Sequence, residues 1–383
     1  MKTRMHDPTR RRSLAALAVV ILLGSVHAIF ADVVAVRGSA QLQSALAAAT
    51  GGEVIVLADG RYGAVTISQK YTDYVTIKSA NPLGAKFDTL TINNSSYLRL
   101  EALHVEAESN GGAAAILLAI NDSDHISVLN CEINGKVDDV QPIAGYFGLR
   151  AKQSSVIRVQ NSFVHDVLNG MVFFASSQIE VLGNHVDRIG ADAFKFGGVD
   201  TALIENNFGP SYLFPAEKTH SDFMQFQGKP SRNLTIRGNV FLPQNRFDTQ
   251  GIFVAGDGGH TNVLIEDNII YTRMANGIYV ADGSTGVTIR DNTLIAADGD
   301  VTRIVRPDGA LVTSNITTGR RGEADGSNVA MQTTDAGESY YIGTLFPAIV
   351  VGQGLSLEDL RPQAGSAATR IGAAHRLMEL LAR

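Results

Sequence analysis

The chain has 383 residues, 45% of them apolar, with 38 Gly, 10 Pro, no Trp and one cysteine, Cys131. That length suits one large domain or two ordinary ones, and a lone cysteine excludes an intramolecular disulfide framework and any Cys-based zinc site. The net charge is −6, and beyond residue 31 it is −10, with 27 basic and 37 acidic residues. This balance argues against nucleic acid as the main partner, because phosphate binding requires a basic footprint.

Residues 1–31 read as a secretory signal. Arg10, Arg11 and Arg12 form a charged start, and Leu14 to Val26 an apolar run short for a membrane span. Small residues offer cleavage near Ala28 or Ala31. A soluble secreted or periplasmic monomer, free of the membrane after cleavage, is the expectation. Residues 32–383 then form the mature domain, with no linker inside it.

Ser39 can cap a short helix that ends by Thr50, with Leu42, Ala45, Leu46 and Ala49 on one face and Gly51-Gly52 as its stop. A strand, Glu53 to Leu57, and a turn at Asp59-Gly60 follow. Further on, a phrase recurs: apolar, two variable residues, a small polar residue, one variable residue, apolar. Its fourth position is Cys131, Ser162, Asn184, Asn207, Asn239, Asn268, Asn292 and Asn315, at spacings of 31, 22, 23, 32, 29, 24 and 23. The shorter spacings are a coil length of a solenoid. The apolar runs are strand-sized, with Gly and Asn at the turns. Asn tolerates a left-handed bend, and its amide can bond the Asn of the next coil, so this ladder holds the fold and carries no chemistry. The coils end near Gln332, and Arg370–Arg383 can form a helix over the last coil.

The longer spacings locate insertions near Glu132–Phe147, Phe208–His220 and Val240–Gln250. Long turns of a solenoid tend to leave from one side and build its binding face. Two of them flank a chemically unusual pair of coils. Where other coils read Gly251-Ile252-Phe253-Val254 and Gly277-Ile278-Tyr279-Val280, these read Asp192-Ala193-Phe194-Lys195 and Asp222-Phe223-Met224-Gln225, with His220 just upstream. Adjacent coils put Asp222 about one strand spacing, ~4.8 Å, from Asp192. Two such carboxylates share a proton or bind a cation; with Lys195, His220 and Lys218 nearby no metal is required, and no cofactor is expected. A lysine between Phe194 and Phe196 suits a general base, and a His-x-Asp pair suits proton transfer. Parity turns Phe194, Phe196, Met224 and Phe226 inward and stacks Gln225 on Lys195 outside. It sends both aspartates inward, unless the bend before each strand turns them out. Gln225, Lys218, Arg246 and Arg150, with Tyr146 and His165, are candidates for holding a sugar.

The helix-strand-"ADGRYG" opening, the segments Tyr74–Ser79 and Tyr97–Leu103, and the tail Leu360–Ala367 resemble secreted right-handed parallel β-helix proteins, polysaccharide lyases among them. The resemblance covers residues 35–375. It implies an all-β, single-stranded right-handed parallel β-helix of about ten coils with an N-terminal capping helix. Lyases of this fold neutralise a uronic-acid carboxylate and remove the neighbouring proton. The expected substrate is therefore an acidic, alginate- or pectin-like polysaccharide, cleaved by β-elimination. Lys195 or His220 would be the base, with Asp192, Asp222 and Gln225 orienting it or neutralising the substrate carboxylate. The DAFK and HSDFMQF segments look like the calcium-and-lysine region of one pectate lyase family. Phe223 and Phe226 stand where that family has aspartates, so a calcium ion at Asp192 and Asp222 is not favoured. The alternatives are a glycoside hydrolase using Asp192 and Asp222, or a non-catalytic carbohydrate-binding or surface protein.

Overall fold

A computed structural model describes residues 32–107, 115–136, 146–209, 221–243, 249–272, 274–296, 303–318, 329–331, 344–349 and 355–382. Three parallel sheets wind into a right-handed solenoid of about ten turns. Sheet A has twelve strands, sheet B twelve and sheet C ten, and each neighbour in a sheet comes from the next coil. The chain visits C, then A, then B, and returns to C one rung on. Strands that alternate one inward apolar residue with one outward residue explain this plan: a closed coil buries every inward column. The columns stack by type. Phe173, Phe196 and Phe226 lie ring on ring at centroid distances of 5.3 and 4.6 Å, all fully buried.

Each corner carries its own hydrogen-bonded ladder. At the A-to-B corner the expected stack is present. The amide of Asn184 donates to Asn207 Oδ1 at 3.0 Å, Asn207 to Asn239 at 2.9 Å, and so on to Asn315. Cys131 and Ser162 head it through backbone N–H bonds to the next side chain. The ladder residues do not themselves take the left-handed backbone. The residue before each does: Asn206 (φ 59), Gly238 (φ 63), Asp267 (φ 55), Asp291 (φ 55) and Ser314 (φ 56). The bend and the stack are thus assigned to two successive positions. A second ladder, unmarked in the sequence reading, runs along the C-to-A corner. There Ser95, Ser123 and Ser154 each accept the N–H of the preceding member or pass one on, at 3.1–3.2 Å to Ser123, Ser154 and Ser176. His260 takes a serine position there, accepting from Ser231 N at 3.1 Å.

Both ends differ in detail from expectation. The N-terminal helix is Ser39–Ala48, with Leu42 and Leu46 buried, but Gly38 (φ 92) is its cap and Ser39 makes no capping bond. The C-terminal helix, Ala374–Leu381, reaches beyond a single coil: its segment bonds to Gly238, Thr293 and Ser314 on different coils. On the outside of sheet B, Leu377 shares an apolar cluster with Val240, Ile269, Ile295 and Ile316, covered also by Leu345, Phe346, Leu355 and Leu360. Those four outward residues are apolar, and only a lateral cover buries them.

Candidate active site

All three long insertions leave the solenoid at one corner, from sheet B to sheet C. They join Glu132–Asn134 to Phe147–Lys152, Phe208–Gly209 to Ser221–Phe226, and Val240–Phe241 to Thr249–Val254. The aspartates sit at the same corner. Phe194 pairs with Met224 and Lys195 with Gln225, so Asp222 lies one rung above Asp192.

The register corrects one part of the sequence reading. Met224 faces Ile252, and Ile252 faces Ile278. Gly251 and Gly277 are therefore the counterparts of Ala193 and Phe223, one residue beyond the aspartates. Asp222 faces Gln250 instead. The aspartates do not replace glycines; they continue a third corner ladder. Asp192 N donates to Asn169 Oδ1 at 3.3 Å, and Asp222 N to Asp192 Oδ1 at 3.2 Å. Gln250 Nε2 donates to Asp222 Oδ1 at 3.1 Å, Asn276 donates to Gln250, and Arg303 Nε donates to Asn276 Oδ1 at 3.2 Å. Asn169, Gln250, Asn276 and Arg303 escape an alignment of the coils on glycine. Aligned on the inward apolar residue, the five coils from Met171 to Ile278 each show a polar group two positions earlier. Phe223 fits where other coils need glycine because Gly209 leaves it room. A Cβ on Gly209 would come within 2.8 Å of the Phe223 ring.

The bend before the strands turns both carboxyl groups toward the outer layer, which parity alone left open. Lys195 Nζ donates to Asp192 Oδ2 at 2.7 Å, and Gln225 Nε2 to Asp222 Oδ2 at 2.9 Å. Asp192 is 3% exposed and Asp222 0%. The two carboxylates are thus a buried layer, with half-buried Lys195 and Gln225 above it. Burial pushes the Asp222 carboxyl up to about 8, helped by the charge of Asp192 and opposed by Lys195, Gln250 and Gln225. Every carboxylate oxygen of the pair accepts an N–H donor, and an ammonium stands beside them. A calcium ion needs six to eight oxygen ligands, so this donor set does not fit one. Among the described residues no three His, Cys, Asp or Glu groups could hold a metal.

Arg150 shares the outward column of Lys195, two rungs away across Val172. Its Nη2 donates to Asn121 Oδ1 at 3.2 Å, so it flanks the cluster without joining it. Tyr146 is buried beside the same strand, and its carbonyl accepts Leu168 N at 2.8 Å. His165 stands apart on sheet B, between Asp166 at 2.6 Å and Glu132 at 3.2 Å. His220, Lys218 and Arg246 lie outside the described residues.

Among solved structures the chain is similar to an alginate lyase from Paenibacillus sp. str. FPU-7, at 17% identity and a TM-score of 0.50, over 73% of this chain and 97% of that one. It is also similar to PfbA, a surface protein and adhesin of Streptococcus pneumoniae, at 12% identity and a TM-score of 0.52, over 77% and 95%. At such identities the likeness is one of fold. A stretch of 120 residues, 30% of this chain, is 35% identical to an alpha-1,3-galactosidase A of Peterkaempfera griseoplana, and spans only 16% of that protein. The family model described as the right-handed beta helix region matches residues 88–294. With more than half its length matched and three parallel sheets wound coil on coil, the chain belongs to the right-handed β-helix family.

Proposed function

We propose that the protein is a secreted carbohydrate-active enzyme that cleaves a uronic-acid polymer, alginate- or pectin-like, by β-elimination. The observation that carries this reading is the pair of tethered groups. Lys195 and Gln225 stand on adjacent rungs, each held by a buried carboxyl, at the corner where the long turns leave. Surface adhesion needs no such buried acid layer, whereas catalytic sites concentrate perturbed carboxyl groups of this kind. In the proposed reaction Lys195 lies against the substrate carboxylate and draws charge from the adjacent carbon. His220, two residues before Asp222 in sequence, takes the proton from that carbon. The electron pair forms the carbon–carbon double bond, the glycosidic carbon–oxygen bond breaks, and the leaving oxygen takes up a proton. Asp192 and Asp222 position Lys195 and Gln225 and do not touch the sugar. A hydrolase would need both carboxyl groups at the substrate, about 5–9.5 Å apart across the scissile bond, and at 3% and 0% exposure neither is available for that.

The test is a panel of acidic polysaccharides followed at the ultraviolet absorbance of the unsaturated product. Lys195→Ala and His220→Ala are each expected to lose at least about 100-fold in turnover, as for removal of a proton-transfer or charge-stabilising group. Reducing ends released without ultraviolet absorbance would support a hydrolase instead, and no product on any polymer would support a binding protein.

A further inference from the structure

A groove of about 750 Å³ opens on the outside of sheet A, away from Lys195. Its floor is the outward column Arg99, Ser127, Arg158 and Glu180 on four successive rungs. Successive rungs stand ~4.8 Å apart, so two guanidinium groups flank one serine hydroxyl at a span of ~10 Å. Arg158 is paired to Glu180 at 3.0 Å. Arg99 has no hydrogen bond or ion pair among the described residues. Its guanidinium lies 5.1 Å from the centre of the Tyr74 ring, and its Nε is buried without a partner. A buried donor in that state costs free energy, so the Arg99 guanidinium is held by packing on Tyr74 and not by a protein acceptor. Tyr74 lines the groove, and Tyr97 supports it edge-on at 5.6 Å. Gln178, Thr201 and Asn233 also line the groove, the last two bonded to Asp200 at 3.2 and 3.0 Å. Arg237, which also lines it, is paired to Glu205 at 3.0 Å, so Arg99 is the lining cation with no acidic partner among the described residues.

We infer that this groove is a second, non-catalytic site for a carboxylate-bearing sugar chain. The carboxylate would bridge Arg99 and the Ser127 hydroxyl, with Arg158 shared between it and Glu180. Forked guanidinium groups suit a planar carboxylate, and Tyr74 with the apolar lining suits the faces of sugar rings. A polysaccharide held there would stay tethered to the solenoid while another segment reaches sheet C. The inference stands on the groove's own chemistry and holds whether or not sheet C is catalytic.

The experiment is affinity electrophoresis of the full chain carrying Lys195→Ala, so that no polymer is cleaved through that site. The gels contain polygalacturonate, alginate, dextran sulfate, neutral dextran or single-stranded DNA. Polygalacturonate or alginate should retard the protein, and neutral dextran should not. Adding Arg99→Gln should weaken retention about tenfold or more, the effect of one charge-assisted contact. Adding Ser127→Asp, which places a carboxylate between the two arginines, should abolish it. This second variant decides the matter if Arg99→Gln fails to fold, because its new charge is met by both neighbours. Retention unchanged by both variants would overturn the inference. So would no retention by either acidic polymer, or retention by DNA or dextran sulfate as strong as by polygalacturonate.

Discussion

Asp222 joins stability to chemistry in one side chain. Its folded-state value of about 8 lies far above the ordinary 3.8 that it regains on unfolding. Between those values the folded chain holds a proton that the unfolded chain has released, so rising pH destabilises the fold. The contribution of the neutral carboxyl is complete below about pH 4 and is lost as pH climbs through about 8. Asp222→Asn has no ionisation to suppress, so its stability relative to the parent should grow by a few kcal/mol across that window. Denaturant midpoints measured at about pH 5 and about pH 8 check this, and parallel pH profiles for the two proteins would refute it. Gln225 Nε2 donates to Asp222 Oδ2 at 2.9 Å, so the amide is fixed from below by the carboxyl whose ionisation the fold suppresses.

At the scale of the strands and corners, ladders decide which substitutions the solenoid tolerates. Asn239 is fully buried. Its Nδ2 donates to Asn268 Oδ1 and to Ile204 O, and its Oδ1 accepts both the backbone N–H and the side-chain amide of Asn207. Asn239→Leu strands several of these groups at once and should lower stability by about 3 kcal/mol or more. Ser154→Ala removes a side chain that accepts only one neighbouring N–H and donates within its own corner, so about 1 kcal/mol is expected. Urea unfolding of both variants separates the two, and equal losses would show that the amide stack adds nothing over a single hydroxyl. The Asn ladder was legible in the sequence because its chemistry is uniform from Asn184 to Asn315. The serine ladder was not, because Val199 and His260 interrupt it. The third ladder runs Asn, Asp, Asp, Gln, Asn, Arg, and only the backbone register reveals four residue types as one column. The pairing of Lys195 with Gln225 followed from parity. The outward turn of Asp192 did not, because it depends on the bend before the Phe194–Gly197 strand rather than on strand alternation.

The whole solenoid is a stack in which each coil touches mainly its two neighbours, so its ends can open without the middle. The C-terminal helix works against that independence. Leu377 and its neighbours pack on Val240, Ile269, Ile295 and Ile316, outward residues of four successive coils, and Arg376 Nε donates to Gly238 O at 3.0 Å. The Gly372 N–H and the Ala373 N–H tie the segment to Ser314 O and Thr293 Oγ1 at 2.7 and 3.0 Å. One short helix thus spans coils that would otherwise be linked only rung by rung. Leu377→Ala leaves a cavity across that seam and should destabilise by about 2–4 kcal/mol. The two possible consequences differ in kind. If the helix only covers a surface, the variant opens locally, the apolar column binds a hydrophobic dye, and global unfolding keeps its midpoint. If it couples the coils, the unfolding transition itself moves down and broadens, because the last coils unfold apart from the first. The contacts to four coils favour coupling. Circular dichroism melts should therefore show a lowered, broader transition for Leu377→Ala, while Met378→Ala, on the exposed side of the same helix at 52% exposure, leaves the melt unchanged. A sharp, unshifted melt for Leu377→Ala would reduce the helix to a lid over sheet B.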